Sequence, residues 1–182
     1  MRQRENPIPV YATDEIKSRL SWIDRILQPF CKIEWRAVTG DFSSLDPNMA
    51  VRTIDLVESN SIAFQFRDET SRGTALIAPA VGEINTDLRD AIHESNVIFF
   101  DGTFWSDAEL LRVRPGARTA RAMNHLPISD GSLEVLRQAQ ASRKIYTHIN
   151  NTNPILRPGS AERSAVEEAG VEIATDGLEI IL

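Results

Sequence analysis

The stretch that decides the fold is Lys144–Pro154, which has the sequence KIYTHINNTNP. Up to position 147 it carries β-branched and aromatic side chains that favour a strand, and the polar run closed by Pro154 ends that strand. A strand that ends in this way brings the next side chain, His148, to the edge of a sheet. His148 is therefore our first candidate for chemistry. By pattern alone, a structural histidine followed by an asparagine-rich turn is the commoner case, and this alternative stays open.

A second stretch, Val97–Trp105, has the sequence VIFFDGTFW and points to the same kind of edge. Four consecutive apolar residues indicate a strand that is buried on both faces, and open α/β sheets bind ligands beyond the carboxyl ends of such strands. Asp101 follows this run directly, so we predict a metal ligand, a hydrogen-bond acceptor behind a ligand, or a base. An aspartate that only forms a turn or caps a helix fits the pattern equally well.

The other two histidines carry weaker signals. His125 lies in MNHLPIS, residues 123–129, a loop before a predicted helix, where it is a candidate proton donor or an ordinary surface histidine. His93 lies on a predicted helix without a supporting motif, and we interpret it as structural. A histidine-based metal site needs three or more ligands, and the sequence has no His-x-His or His-x-x-x-His spacing. Spacing alone therefore gives a metal site little support.

The composition is that of a soluble globular protein of 182 residues, with 42% hydrophobic and 25% charged residues, and we predict a single domain over residues 1–182. The net charge of −6 argues against a nucleic-acid partner. The basic cluster is predicted to lie on a loop that could meet an anionic ligand, and it consists of Arg112, Arg114, Arg118 and Arg121. Because we find no apolar run of membrane-spanning length and no signal-peptide core, we predict a cytoplasmic protein.

The first half of the chain has a strand and helix signal followed by an antiparallel pattern. Thr13 is predicted to cap one continuous helix that Pro29 ends, with Trp22 and Ile26 widening its packing face. Cys31, the only cysteine, excludes an intramolecular disulfide and is predicted to be a small buried residue. Residues 40–49 are predicted to form a loop. Strands at 54–57, 61–66 and 74–78 then predict an antiparallel meander.

From about residue 84 onward, predicted helices and strands alternate, which is typical of a layered α/β protein. Ser106 and Glu109 have the spacing of a capping box at the start of one helix. Ser160 is predicted to cap a later helix that Gly170 ends. A final strand is predicted at 178–182.

Three motifs, taken in order, resemble those of one family: FFDGTFW at 99–105, HLPIS at 125–129 and HINNTNP at 148–154. IPVYAT at 8–13 and DGLE at 176–179 fit the same pattern. On these residues the chain resembles the coenzyme PQQ synthesis protein B family over nearly its whole length.

The resemblance implies a metallo-β-lactamase fold, an αββα sandwich with metal at the edge of its two sheets. It implies a role in the biosynthesis of pyrroloquinoline quinone (PQQ), a redox cofactor made from Glu and Tyr of a precursor peptide. One role attached to the family is an Fe(II)-dependent hydroxylase, with zinc as the alternative metal, that acts on the tyrosine ring of the crosslinked Glu–Tyr intermediate. The alternative is a carrier that helps to move PQQ or its precursor to the periplasm.

The resemblance also implies roles for individual residues. It places His148 on the metal, Asp101 and His125 in catalysis, and Thr103, Asn150 and Asn151 at the substrate.

The sequence departs from the family pattern in two places. Met1 falls just after the position of the family's Asp-x-Asp-His metal motif, and Ala78-Pro79-Ala80 stands where many relatives in the superfamily carry a bridging aspartate. We therefore expect an incomplete sandwich without its front sheet, and an iron site of the two-His-one-carboxylate kind that His148 alone does not complete. Uncovered apolar faces would favour a homo-oligomer or poor solubility. A truncated product without independent activity is the third possibility.

Overall fold

The structure, a computed structural model, describes residues 7–56 and 61–182. Within these residues the chain forms nine strands and six α-helices. The strands are β1 (Ile8–Ala12), β2 (Ile33–Ala37), β3 (Ser43–Asp46), β4 (Met49–Asp55), β5 (Ile62–Asp68), β6 (Thr74–Ala78), β7 (Val97–Asp101), β8 (Arg143–Thr147) and β9 (Glu172–Ile173). The helices are α1 (Asp14–Leu20), α2 (Trp22–Leu27), α3 (Thr86–Glu94), α4 (Glu109–Val113), α5 (Ser132–Gln138) and α6 (Ala161–Glu168).

Most of the described strands belong to one mixed sheet with the order β3-β4-β5-β6-β7-β8-β9. Its first half is antiparallel from β3 to β6, and its second half is parallel from β6 to β9. Short turns join β3 to β4 and β5 to β6, whereas each parallel connection needs a crossover, which here carries a helix. The meander and the βα alternation predicted from the sequence are both confirmed.

One face of this sheet carries the main core. Leu88 of α3, Leu136 of α5 and Val166 of α6 are fully buried against sheet residues that include Phe100 and Tyr146. Burial on both faces explains the continuous apolar run of β7. The opposite face has a smaller cluster around Ala75, Val97 and Ile145, which the segment after β9 covers with Leu178, Ile180 and Leu182.

The N-terminal unit, residues 8–37, is a separate two-stranded parallel sheet, in which β1 pairs with β2 through α1 and α2. Every residue of α1 and α2 is at least partly exposed. Tyr11 Oη donates a 2.9 Å hydrogen bond to the Leu45 carbonyl and so connects this unit to β3.

Several local predictions for this unit are wrong. The helix predicted up to Pro29 is broken at Ser21, which ends α1 and begins α2. Trp22 and Ile26 are 51% and 57% exposed, so they do not widen a packing face. Cys31 is half-buried rather than buried, because α1 and α2 bury little surface against which it could pack.

Capping and loop predictions have mixed outcomes. Thr13 and Ser160 cap α1 and α6 as predicted, because each hydroxyl accepts a hydrogen bond from the backbone N–H three residues later. The capping box at Ser106 is wrong, since α4 begins only at Glu109, whose carboxylate is bound elsewhere. The loop predicted at 40–49 contains β3, and residues 178–182 form no strand. Position 57, the predicted end of one strand, and the connection at 58–60 lie outside the described residues.

None of the helices within residues 7–56 and 61–182 has the length and apolarity that a membrane crossing requires.

Candidate metal and acid–base site

The candidate site lies where the parallel strands end. Asp101 is the last residue of β7 and pairs with Thr147, the last residue of β8, so His148 begins the loop beside it. His125 arrives from the connection between α4 and α5. The structure thus brings together three side chains that span 47 residues of sequence, at the sheet edge that was predicted for Asp101 and His148.

Asp101 is the centre of the site and is fully buried. Its Oδ2 atom accepts hydrogen bonds from the Val81 backbone N–H at 2.9 Å and from His125 Nδ1 at 2.7 Å. Its Oδ1 atom accepts from the Thr103 backbone N–H at 3.0 Å and from Thr103 Oγ1 at 2.6 Å. Four donors on one carboxylate satisfy both oxygens, which is how a buried charge is tolerated.

His148 reaches Asp101 through Thr103. Its Nδ1 atom lies 2.9 Å from Thr103 Oγ1 but 4.0 Å from Asp101 Oδ1, which is too long for a direct hydrogen bond. The side chain of His148 is 54% exposed, whereas that of His125 is 15% exposed. The two rings lie side by side, with 5.5 Å between their centroids. Asp101 therefore orients one half-buried imidazole directly and one exposed imidazole indirectly.

Asp101 and His148 shift each other's pKa toward the charged forms. Burial acts to raise the pKa of Asp101, but its interactions with His125, His148 and Thr103 outweigh burial and hold the pKa below its ordinary value. The pKa of His148 is raised, chiefly by the Asp101 carboxylate and against a smaller opposing effect of burial. Asp101 is thus an ionised acceptor at neutral pH, and it stabilises a proton on the neighbouring imidazole.

A network of hydrogen bonds holds together the two loops that follow β7 and β8. The buried Glu109 carboxylate accepts from the Trp105 backbone N–H in the first loop and from Thr152 Oγ1 in the second, each at 2.6 Å. Asn153, also buried, donates from its amide to the Gly102 carbonyl at 2.8 Å. These contacts explain the polar run after His148, because its side chains satisfy backbone groups of the neighbouring loop.

The backbone at the site has unusual conformations. His148 has a φ of +54° and Asn124, which precedes His125, has a φ of +65°, values in the left-handed region that non-glycine residues seldom adopt. A Cβ atom on Gly102 would lie 2.9 Å from Tyr146 Cβ, so glycine is required there for the close approach of β7 to β8. Such strained positions occur often at functional sites, where the surrounding contacts hold them in place.

The donor chemistry of the cluster fits a metal ion. Asp101, His125 and His148 each offer a ligand atom, and these atoms lie within 4.8 Å of one another. Two imidazoles and a carboxylate are donors that both Fe(II) and zinc accept. Because both Asp101 oxygens already accept two hydrogen bonds, the carboxylate is better placed to orient the imidazoles than to bind the ion. The structure therefore supports a metal site that histidine spacing did not indicate.

A cleft of about 480 Å³ opens beside His148. Phe99, Leu156 and Leu178 give it an apolar wall, and Thr175 and Asp176 add polar groups. The motif at 176–179 thus lies next to the candidate site, where it can contact a molecule bound at His148.

The residues predicted to bind substrate have different surroundings. Thr103 is buried, and its hydroxyl binds Asp101 and His148. Asn150 donates from its amide to Thr152 Oγ1 at 2.7 Å, and Asn151 is exposed. Their roles at the substrate stay predictions. Sequence reasoning missed Glu109 and Asn153 as loop-bracing residues, although Asn153 lies inside the quoted motif.

Comparisons with known proteins agree with this architecture. A family model described as "Beta-lactamase superfamily domain" matches residues 1–149. Coenzyme PQQ synthesis protein B of Cupriavidus necator is 31% identical over 205 residues, and that of Methylococcus capsulatus is 32% identical over 205 residues. Each of these alignments covers 100% of this chain and 67% of the relative. The chain thus spans about two thirds of the length of these curated relatives.

Solved structures give the same result. The crystal structure of Zn(2+)-bound PqqB from Methylobacterium extorquens superposes with a TM-score of 0.83 at 26% identity, covering 97% of this chain and 63% of that one. A diphosphatase from the PhnP family superposes with a TM-score of 0.68 at 15% identity, covering 97% of this chain and 59% of that one, which shows the fold alone. The predicted metallo-β-lactamase fold is confirmed, and metal binding is supported by the zinc-bound relative together with the cluster at the sheet edge. The chain belongs to the coenzyme PQQ synthesis protein B family of the beta-lactamase superfamily.

Proposed function

We propose that this chain acts in PQQ biosynthesis as part of an Fe(II)-dependent hydroxylase of the tyrosine ring in the crosslinked Glu–Tyr precursor. The observation that carries the proposal is the cluster of two imidazoles around one buried carboxylate, at the sheet edge of a chain from this family. The names of the relatives support the pathway, and the donor set supports a metal-dependent reaction.

His148 is the proposed metal ligand. It is the more exposed of the two imidazoles, and it lines the cleft where a substrate could approach. Zinc is the alternative metal, as in the solved relative. Bound Fe(II) would supply the one-electron chemistry that activation of dioxygen requires.

The Asp101–His125 pair is the proposed acid–base group. The carboxylate holds a proton on His125 Nδ1 and leaves Nε2 as the atom that can accept a proton from, or return it to, the phenol of the substrate. Asp101 also stabilises the imidazolium that forms when Nε2 is protonated. The burial of Asp101 away from water strengthens both effects.

The cleft supports the binding step. Phe99, Leu156 and Leu178 can pack on the face of a planar aromatic ring, and His148 lines the same cleft. The same cleft favours the second candidate function, a carrier that binds PQQ or its precursor without turnover. A homo-oligomeric state and a cytoplasmic location stay predictions.

The test is turnover of a synthetic crosslinked Glu–Tyr compound by the protein loaded with Fe(II), with oxygen and a two-electron reductant such as ascorbate, which reduces the second oxygen atom of dioxygen to water. Mass spectrometry is expected to show a product heavier by one oxygen atom, with the label arriving from isotopic dioxygen. His125→Ala is expected to keep the metal and lose turnover by about 100-fold or more. His93→Ala, on the exposed face of α3, is the matched control and keeps both.

The outcomes distinguish the candidates. Metal and substrate binding without any oxygenated product would favour the carrier. Loss of metal in His125→Ala would instead make His125 a second ligand and remove its acid–base role.

A further inference from the structure

The hydroxyl of Thr103 lies between Asp101 and His148, and the proposed function gives it no role. Thr103 is only 8% exposed, so water does not compete strongly for its hydroxyl. Its Oγ1 atom lies 2.6 Å from Asp101 Oδ1, 2.9 Å from His148 Nδ1 and 3.0 Å from the His148 carbonyl oxygen. A hydroxyl has one proton to donate and two lone pairs that accept. The single proton of the hydroxyl thus faces three groups. The contacts with Asp101 Oδ1 and His148 Nδ1 are both satisfied only if the hydroxyl donates to one and accepts from the other.

Asp101 decides where that proton goes. Its carboxylate already accepts from the backbone N–H groups of Val81 and Thr103, which act only as donors. The 2.6 Å contact with Thr103 Oγ1 places an acceptor oxygen against the hydroxyl, so the hydroxyl must donate to it. If the proton pointed at His148 instead, two oxygen lone pairs would face each other at this distance.

The donation to Asp101 fixes the tautomer of His148. Since the proton of Thr103 is used, its oxygen can only accept from His148 Nδ1, and Nδ1 must carry a hydrogen. His125 Nδ1 donates directly to the same carboxylate at 2.7 Å. Both imidazoles therefore have Nδ1–H, so in each neutral ring Nε2 carries the lone pair that can bind a metal ion or accept a proton.

We propose that Thr103 is a positioning residue that lets one buried carboxylate set the tautomer of both histidines, directly for His125 and through its own hydroxyl for His148. This inference rests on the proposed use of the two Nε2 atoms. Thr103 also anchors the left-handed turn, because the Asn150 backbone N–H donates to its carbonyl at 3.1 Å. The side chain and the backbone of Thr103 thus hold the same loop.

A matched pair of variants isolates the hydroxyl. Thr103→Val keeps the shape of the side chain but removes the hydroxyl, whereas Thr103→Ser restores the hydroxyl and removes only a methyl group. In Thr103→Val the oxygen that accepts from His148 Nδ1 is lost, so the proton of His148 can move to Nε2. His125 does not depend on Thr103 and should keep its tautomer.

The experiment is long-range ¹H–¹⁵N correlation of the imidazole nitrogens in metal-free protein, at a pH where the rings are neutral. Wild type and Thr103→Ser are expected to show His148 with Nδ1–H and an unprotonated Nε2. Thr103→Val is expected to shift His148 toward Nε2–H while the signals of His125 stay unchanged. His93, exposed on α3, provides the tautomer ratio of an unconstrained imidazole in the same spectrum.

Zinc titration gives a second readout on the same proteins. Thr103→Val is expected to bind zinc about 10- to 100-fold more weakly than wild type, and Thr103→Ser about as tightly as wild type. Nε2–H on His148 in the wild-type spectrum would overturn the proposal, and so would an unchanged tautomer in Thr103→Val. If the spectra agree but no protein binds metal, the positioning role holds and the proposed metal function fails.

Discussion

The N-terminal unit (residues 8–37) and the parallel half of the main sheet with its helices (residues 74–173) use similar elements but differ in packing. In the N-terminal unit, Trp22, Ile26 and Phe30 are 49–57% exposed. In the parallel half, Leu76, Ile98, Phe100 and Tyr146 are fully buried. Sequence patterns that predict strands and helices therefore do not by themselves predict a stable scaffold, because burial of apolar surface provides most of the stability of a fold.

The site depends on the parallel half alone. Asp101 and His148 extend from the ends of β7 and β8, whose neighbours are packed on both faces. A site that must hold groups at fixed distances is better supported by such strands than by partly exposed helices. Changes in the parallel half should therefore affect both stability and the site, and changes in the N-terminal unit should affect neither strongly.

The largest expected effect compares two aromatic side chains. Phe100→Ala should lower the free energy of unfolding by about 3–5 kcal/mol, because it leaves a cavity in the core. Trp22→Ala should change it by no more than about 0.5 kcal/mol, since half of that side chain is in solvent. Denaturant titration of both variants measures the difference. Equal losses would contradict the contrast between the two regions.

The next effect compares two aspartates. Asp101→Asn should cost on the order of 3 kcal/mol, because its amide group would face donors that now lose an acceptor. Asp24→Asn should cost less than about 1 kcal/mol, since the remaining oxygen can still accept the hydrogen bond from Trp35 Nε1. The same titration applies here. A larger loss of unfolding free energy for Asp24→Asn than for Asp101→Asn would contradict the contrast between the two regions.

Two helix caps provide a smaller contrast. Ser160 Oγ accepts from the Arg163 backbone N–H at 3.1 Å, and Ser160→Ala should cost about 1 kcal/mol. Thr13 Oγ1 accepts from the Ile16 backbone N–H at 3.4 Å, at the limit of a hydrogen bond, so Thr13→Ala should cost only a few tenths of a kcal/mol. Thermal unfolding at matched concentrations would separate these values, and a reversed order would argue against the packing difference.

The smallest effect is a dependence on pH. The pKa of His148 is raised in the folded protein, so its contribution to stability is fully present below its unfolded pKa and is lost as pH rises through the folded value. The pKa of Asp101 is lowered, so its contribution is present above its unfolded pKa and is lost as pH falls through the folded value.

His148→Gln measures the first of these contributions. In the metal-free protein, the difference in unfolding free energy between wild type and His148→Gln should be larger at pH 5.5 than at pH 8.5, on either side of the ordinary histidine pKa of about 6.5. A difference in unfolding free energy that increases from pH 5.5 to pH 8.5 would contradict a raised pKa of His148.

The fold was largely predictable because its strongest signals are local. The apolar run of β7, the strand predicted at 61–66 and the polar stop after Thr147 each follow from a few adjacent residues. The break at Ser21 and the exposed face of α2 were not predictable, since they depend on what the helix meets in space. The start of α4 was missed for the same reason, because Glu109 binds Thr152 rather than the helix end.

The site was only partly predictable. Asp101, His125 and His148 were identified from their motifs, but spacing along the chain did not show that they form one cluster. The role of Thr103 depends on a hydrogen bond to a residue 45 positions away, and sequence patterns do not record such contacts. The resemblance named the residues, and the structure supplied the connections among them.

The most direct test of the central claim is the metal content of the whole chain after anaerobic equilibration with Fe(II), or with zinc, and removal of the excess. The account predicts the same retained metal in wild type and in His93→Ala, and much less in His148→Ala, because His148 is the proposed ligand. Full metal content in His148→Ala, or none in wild type, would contradict a metal site at the ends of β7 and β8.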